Sequence, residues 1–232
     1  MKYSESSYSI LERGFPLMKR YQDWMGARLT VMPDTVHDLY HNFRHLVVKG
    51  FNQFIIEPAE GIEWQSECSK AYTQQMIEIA KYYVRNKNNK SLRIDIFNKQ
   101  MSGEQDERYR RGCWAGKSSV TVSPDGLIYP CSKFIDPSSI FPPFVLGNVE
   151  NGITDIEKRN AMIPFPRRSD CYECEWVFEC SGGCPANNFL ATGDPALTSR
   201  QECDHARLHN GMQLAVGKYC RTPEDHGCCP NL

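Results

Sequence analysis

Four cysteines fall within fourteen residues, in Cys171-Tyr-Glu-Cys174-Glu-Trp-Val-Phe-Glu-Cys180-Ser-Gly-Gly-Cys184-Pro185. The spacing is C-x2-C-x5-C-x3-C, closed by a glycine pair and a proline. A CxxC brings two sulfurs to one side of a tight turn, within reach of one metal centre. Two more cysteines so close by cannot all be satisfied by that pair. A metal, an iron–sulfur cluster, a structural zinc knot and a disulfide knot are the chemistries open to such a run. The spacing favours a metal or cluster over disulfides.

The remaining cysteines extend the pattern. Of eleven in the chain, ten lie after residue 112, and Cys68 alone lies before it. Cys68 falls in a helical stretch and reads as a small core or surface thiol. Ser118–Val122 and Leu127–Cys131 flank Ser123-Pro-Asp-Gly126, a hairpin signal with apolar alternation on both sides of the turn. Closing that hairpin brings Cys113 and Cys131 together at its feet, to share either a disulfide or, next to four cysteines at ligand spacing, a metal site.

The elements that must position these residues come in two styles. Residues 4–21 carry Tyr8, Leu11, Phe15 and Met18 at helical spacing, with Pro16 predicting a kink or early stop. Strands are expected at 27–32, 51–57 and 91–97. Helices are expected from Asp34 or Thr35 to Gly50, with Val36, Leu39, Phe43 and Leu46 on one face, and from Ser66 to Arg85. This alternation reads as a parallel α/β layer of three units at most. It is an unfinished object, because a parallel sheet needs cover and a barrel needs closure. After residue 112 the chain becomes a cysteine-rich α+β segment. Its 132–170 stretch is loop-rich, with short helices expected near 155–160 and 186–191 and a last helix at 204–218. The polar stretch 102–111 separates the halves as a linker or exposed helix.

Other polar constellations are weaker. His37, His41 and His45 recur every four residues, a spacing that lets imidazoles share a metal, but they oppose the apolar face of their helix and read as a solvated stripe. Asp34, Glu57 and Glu60 sit near strand ends as single carboxylates.

Composition bounds the partners. The chain has 232 residues and a formal net charge of −1, with no basic run interleaved with aromatics, so no nucleic-acid footprint is expected. No apolar run approaches membrane-spanning length, and the N-terminus lacks a secretory pattern. Many cysteines without an export signal suggest a reducing, cytoplasmic setting.

The whole pattern is C-x12-G-x4-C, a gap, C-x2-C-x5-C-x3-C, a gap of eighteen, then C. Cys113, Gly126, Cys131, Cys171, Cys174, Cys180, Cys184 and Cys203 carry it. It resembles the SPASM domain, the auxiliary-cluster module of radical SAM peptide and protein maturases, over roughly residues 112–220. The first half looks like the last βα units of a radical SAM partial barrel, notably Arg28-Leu-Thr-Val with the Pro-Asp-Thr-Val-His-Asp-Leu-Tyr helix and the Lys49-Gly-Phe strand entry. The resemblance implies two domains, 1–110 barrel-like and 111–232 SPASM.

It also implies two 4Fe–4S clusters. Cys171, Cys174, Cys180 and Cys203 would hold one, and Cys113, Cys131 and Cys184 the other. The cysteine that completes the second site in several relatives is missing, since Gly116, Ser118 and Ser119 stand nearby. An open iron position, or a reach by Cys220, Cys228 or Cys229, are the alternatives. Sulfatase-maturing relatives place an Asp after the second cysteine, where this chain has Ser132, which counts against that reaction.

The C-x3-C-x2-C triplet and glycine-rich SAM segment of radical SAM enzymes do not occur in the sequence. The expectation is therefore an auxiliary-cluster module of a radical SAM oxidoreductase or maturase that does not cleave SAM alone. It would relay electrons or ligate a peptide or protein substrate, with a separate radical SAM core subunit as a candidate partner. The alternative is a stand-alone, non-catalytic iron–sulfur or structural zinc module that binds peptides.

Overall fold

Periodicity and capping account for most of the elements in the computed structural model, which describes residues 6–98, 113–116, 118–135, 144–162, 169–177, 179–180 and 182–220. The chain divides into two units, residues 1–100 with 211–232, and residues 101–210. The expected separator at 102–111, the prolines at 137, 142, 143, 164 and 166, and Cys228 and Cys229 lie outside the described residues.

In the first unit, α1 (Ser7–Glu12) and α2 (Phe15–Tyr21) replace one expected helix. The break follows from Pro16, which cannot donate in mid-helix but fits the first turn of a new one. Strand β1 (Gly26–Val31) pairs in parallel with β2 (Gln53–Pro58), and β2 with β3 (Arg93–Ile94), in the order β1-β2-β3. A 3₁₀ turn at Val36–Asp38 leads into α3 (Leu39–Lys49), which Gly50 ends with φ +96°, a left-handed cap suited to glycine. Helix α4 spans Ser66–Arg85.

The third strand is shorter than expected. Only Arg93 and Ile94 pair, and α5 (Asp95–Asn98) follows. Asn98 explains the early end, because its Oδ1 accepts the backbone N–H of Ile94 at 2.8 Å, and that local bond competes with a continued strand.

β2 shows how the sheet is used. Phe54 and Ile56 are buried while Ile55 and Glu57, which alternate with them, are exposed, the alternation of a strand covered on one face. Phe43 of α3 packs against Phe54, with ring centroids 4.7 Å apart, and Tyr72, Met76 and Ile79 of α4 are fully buried, as are Met25, Val36 and Ile94. The three histidines on this stretch are exposed as expected, with His45 Nε2 hydrogen-bonded to Tyr8 Oη at 2.5 Å. Glu57 is paired across the strands with Arg28 at 2.5 Å. Cys68 is half-buried on α4.

The second unit holds an antiparallel sheet, β4 (Thr121–Val122), β5 (Leu127–Tyr129), β6 (Gly147–Asn148) and β7 (Gly152–Ile153), in that order. The expected hairpin is its first pair, and two strands are added from a stretch that reads as loop in sequence. Helix α6 (Ile156–Ala161) is capped by Asp155, which accepts the Lys158 N–H at 2.8 Å. Helix α7 covers Pro185–Thr192. Helix α8 (Arg200–Cys220) starts four residues earlier than expected, so Cys203 sits inside its first turns, not before them. Its C-terminal part, from Gly211, belongs to the first unit.

Candidate metal centre

The hairpin sets the first group of sulfurs. Ser123 accepts the Gly126 N–H at 2.9 Å, and Gly126 takes φ +82°, so the turn needs its glycine. At the other end Gly116 N–H donates to the Pro130 carbonyl at 3.1 Å, tying the foot that carries Cys113 to the foot that carries Cys131. Arg159 of α6 donates to the Gly116 carbonyl at 2.6 Å. Cys131 leaves β5 extended and enters a 3₁₀ turn, Ser132–Phe134. The backbone N–H groups of Lys133 and Phe134 are directed at its sulfur.

Cys184 reaches the same place from another part of the chain. It forms the N-cap of α7, with Pro185 in the first turn. Cys131 and Cys184 both pack against one apolar cluster, Phe134, Phe144, Met162 and Ala186. Burial pushes the Cys131 thiol above its ordinary range, and the charges of Cys184 and Cys113 push the same way. Cys113, Cys131 and Cys184 are therefore electrostatic neighbours, although fifty-three positions separate the last two.

The second group is wound by successive turns. Cys174 N–H donates to the Cys171 carbonyl at 3.3 Å, Val177 to Cys174 at 3.1 Å, and Cys180 to Trp176 at 2.7 Å. Gly182 N–H donates to the Cys180 sulfur at 3.4 Å. Cys203 arrives on α8, whose start is tied to the Cys171 turn by Arg200 and Asp170, 3.6 Å apart. Burial raises the Cys180 thiol, and Cys203, Cys171 and Cys174 add to the rise.

Between Cys180 and Cys184 the backbone turns through two left-handed glycines, Gly182 at φ +81° and Gly183 at φ +79°. A Cβ on Gly183 would lie 2.7 Å from Glu202 Cβ, so the close approach itself requires glycine. Glu202 Oε2 accepts the Cys184 N–H at 2.9 Å, and Oε1 accepts Asn187 Nδ2 at 2.7 Å. Asn188, wholly buried, donates to the carbonyls of Gly182 (2.8 Å) and Pro195 (3.3 Å) and accepts the Ser199 N–H (2.9 Å). Thr198 adds a hydroxyl donor to the Gly182 carbonyl at 3.0 Å. This network fixes the one loop that serves both cysteine groups.

Sequence reasoning did not single out Asn187, Asn188, Glu202, Lys133 or Arg207. The left-handed Gly-Gly followed by Cys-Pro-Ala-Asn-Asn was the available signal for the first pair. Glu202 has only its place beside Cys203. Cys220 lies on α8, but its side chain is outside the described residues.

All donors in the two groups are sulfur, the set that suits iron–sulfur clusters or zinc. Among the described residues, no three His, Cys, Asp or Glu side chains converge on a position for a single metal ion.

Residues 113–181 match the family model of SPASM, an iron-sulfur cluster-binding domain. That match covers 69 of the chain's 232 residues, within its cysteine-rich part. No curated relative matches it in sequence. Among solved structures it resembles a polyhistidine-tagged anSMEcpe with bound AdoMet, with TM-score 0.60, 16% identity, and coverage of 96% of this chain and 62% of that one. Native anSMEcpe with bound AdoMet gives TM-score 0.61 at 16% identity, covering 94% and 62%. Native anSMEcpe with bound AdoMet and the Kp18Cys peptide gives 0.59 at 16%, covering 92% and 63%. At such identity the likeness is one of fold. The chain spans about 62% of the length of these structures, and among the described residues its three-stranded parallel sheet corresponds to part of that fold and closes no barrel.

Proposed function

We propose that the SPASM domain of this chain binds two 4Fe–4S clusters and serves a radical SAM peptide- or protein-modifying enzyme as its auxiliary-cluster module. One cluster is held by Cys171, Cys174, Cys180 and Cys203, the other by Cys113, Cys131 and Cys184. The observation that carries the reading is the sorting of the thiols. Cys180 feels Cys203, Cys171 and Cys174, whereas Cys131 feels Cys184 and Cys113, so seven cysteines fall into one set of four and one of three.

Each cluster, when bound, supplies a one-electron couple. The chain's own part is to hold the sulfurs and bias them. Backbone N–H groups of Lys133 and Phe134 face Cys131, that of Gly182 faces Cys180, and such donors favour the thiolate that ligation requires. The set of three leaves one iron position for a substrate group or for a further cysteine. Electron relay and substrate ligation are the two roles this allows. A C-x3-C-x2-C motif does not occur among these residues, so SAM cleavage would be the work of a core outside them, on the same polypeptide or on a partner, and a peptide or protein would be the substrate.

The test is metal analysis of anaerobically prepared protein. About eight irons per chain with matching sulfide, and a broad band near ~400 nm, is the expected result. A colourless protein with one or two zincs would refute the reading and leave a structural metal domain.

A further inference from the structure

Every strand of the parallel sheet is entered from a helix. α3 leads from β1 to β2, α4 from β2 to β3, and α1 with α2 leads into β1. A crossover helix packs back over both strands that it connects. α3 and α4 have both of theirs. α1 and α2 have only the second, since β1 ends the order β1-β2-β3 among the described residues. They are docked as crossover helices all the same, with Phe15 edge-on to Phe51 at 5.0 Å and Tyr8 bonded to His45 of α3.

The outer side of β1 is built to receive a strand. The carbonyls of Met25 and Val31 accept the N–H groups of Gln53 (3.1 Å) and Ala59 (2.8 Å), so the odd-numbered residues bond to β2. Gly26, Arg28 and Thr30 therefore turn their N–H and C=O groups outward. Ala27 and Leu29 stand in register with Phe54 and Ile56, yet they are half-buried where those two are buried. Beside Leu29 opens a cleft of about 390 Å³, lined by Leu39 and Leu46 and edged by Tyr8, Thr30 and Asn42. No proline blunts this edge, and its one charged residue, Arg28, is paired with Glu57 of β2. β3 offers no comparable edge, because it pairs through Arg93 and Ile94 alone. The other described strands, β4 to β7, are antiparallel and lie in the second unit. More than a third of a solved structure with this fold has no counterpart in the chain.

We propose that the outer edge of β1 binds a strand of a partner chain, parallel to β1, which hydrogen-bonds Gly26, Arg28 and Thr30 and sets alternate apolar side chains in the cleft beside Leu29. That the partner is the SAM-cleaving core rests on the reading above; the pairing of strands does not.

The test places the photo-cross-linker p-benzoylphenylalanine at Asn42, an exposed residue of the cleft, in the full chain expressed in its native cells, with exposed Lys90 as the control position. The expected adduct joins a separate polypeptide through an extended apolar segment, and its yield falls about tenfold in Thr30→Pro. Proline there removes only an outward N–H, so the β1–β2 pairing and the Tm should hold. In the purified pair, the Arg28 and Thr30 amides should exchange about tenfold more slowly than in the chain alone, with Ala27 and Leu29 little changed. No adduct above the control, an adduct only within one chain or between two copies of it, or unaltered exchange at Arg28 and Thr30 overturns the inference. Strand pairing with a chain that lacks C-x3-C-x2-C would uphold the docking and defeat the radical SAM reading.

Discussion

Replacing Asn188 with alanine should disturb both cysteine groups at once. Its side chain is wholly buried and makes three hydrogen bonds, to the carbonyls of Gly182 and Pro195 and from the Ser199 N–H. Alanine keeps none of them. Gly182 retains the Thr198 hydroxyl, which leaves the Pro195 carbonyl and Ser199 N–H as the groups newly orphaned in a buried site. Each such group costs about 1–3 kcal/mol, and the longer Pro195 contact belongs at the low end, giving about 2–4 kcal/mol in total. For a unit of this size that is a fall of about 10–20 °C in Tm. Since the network holds the loop between Cys180 and Cys184, both cysteine groups should suffer, so iron content should drop in both clusters together. Asn188→Asp is the control, because it keeps the acceptor for Ser199 but loses both donors and buries a charge, and should be at least as harmful. Scanning calorimetry with iron analysis decides the matter. A stable Asn188→Ala protein with a full iron complement would refute the view that this network positions the ligands.

Gly183→Ala should destabilise by about 1–3 kcal/mol, because the left-handed backbone and the Glu202 contact both oppose a side chain; a urea midpoint equal to wild type would contradict this. Cys174→Ala should lose the cluster of the four-cysteine set and keep the other, leaving about four irons per chain, and Cys113→Ala should remove the complementary four. Equal iron in both variants and wild type would show the ligand sets to be wrongly drawn. Asp155 caps α6 and is held below its ordinary value of 3.8, first by the Lys158 N–H and then by the Lys158 side chain. A depressed carboxyl stabilises the fold above its unfolded pKa and ceases to do so as pH falls through the folded value. The Tm gap between wild type and Asp155→Ala should therefore be present near neutrality and narrow below about pH 4; a gap independent of pH would refute the charge argument.

The sequence was sufficient for whatever depends on local spacing. Helix α4 lies where its apolar period and flanking residues placed it, Gly50 ends α3, Pro16 divides the first helix, and Pro-Asp-Gly126 turns the hairpin. Each of these is decided within a few residues, by backbone sterics or by one face of a helix. The cysteine run, too, is dense enough to declare a sulfur site by itself. What sequence could not fix is set by bonds between distant segments. Strands β6 and β7 exist because Gly147 and Asn148 find β5, a pairing no local pattern announces. Cys184 follows Cys180 by four positions, yet it packs with Cys131 on the Phe134 and Phe144 cluster while Cys180 keeps company with Cys203. The physical reason is the double left-handed turn at Gly182 and Gly183, locked by Asn188 and Glu202, which sends two neighbouring cysteines toward different groups.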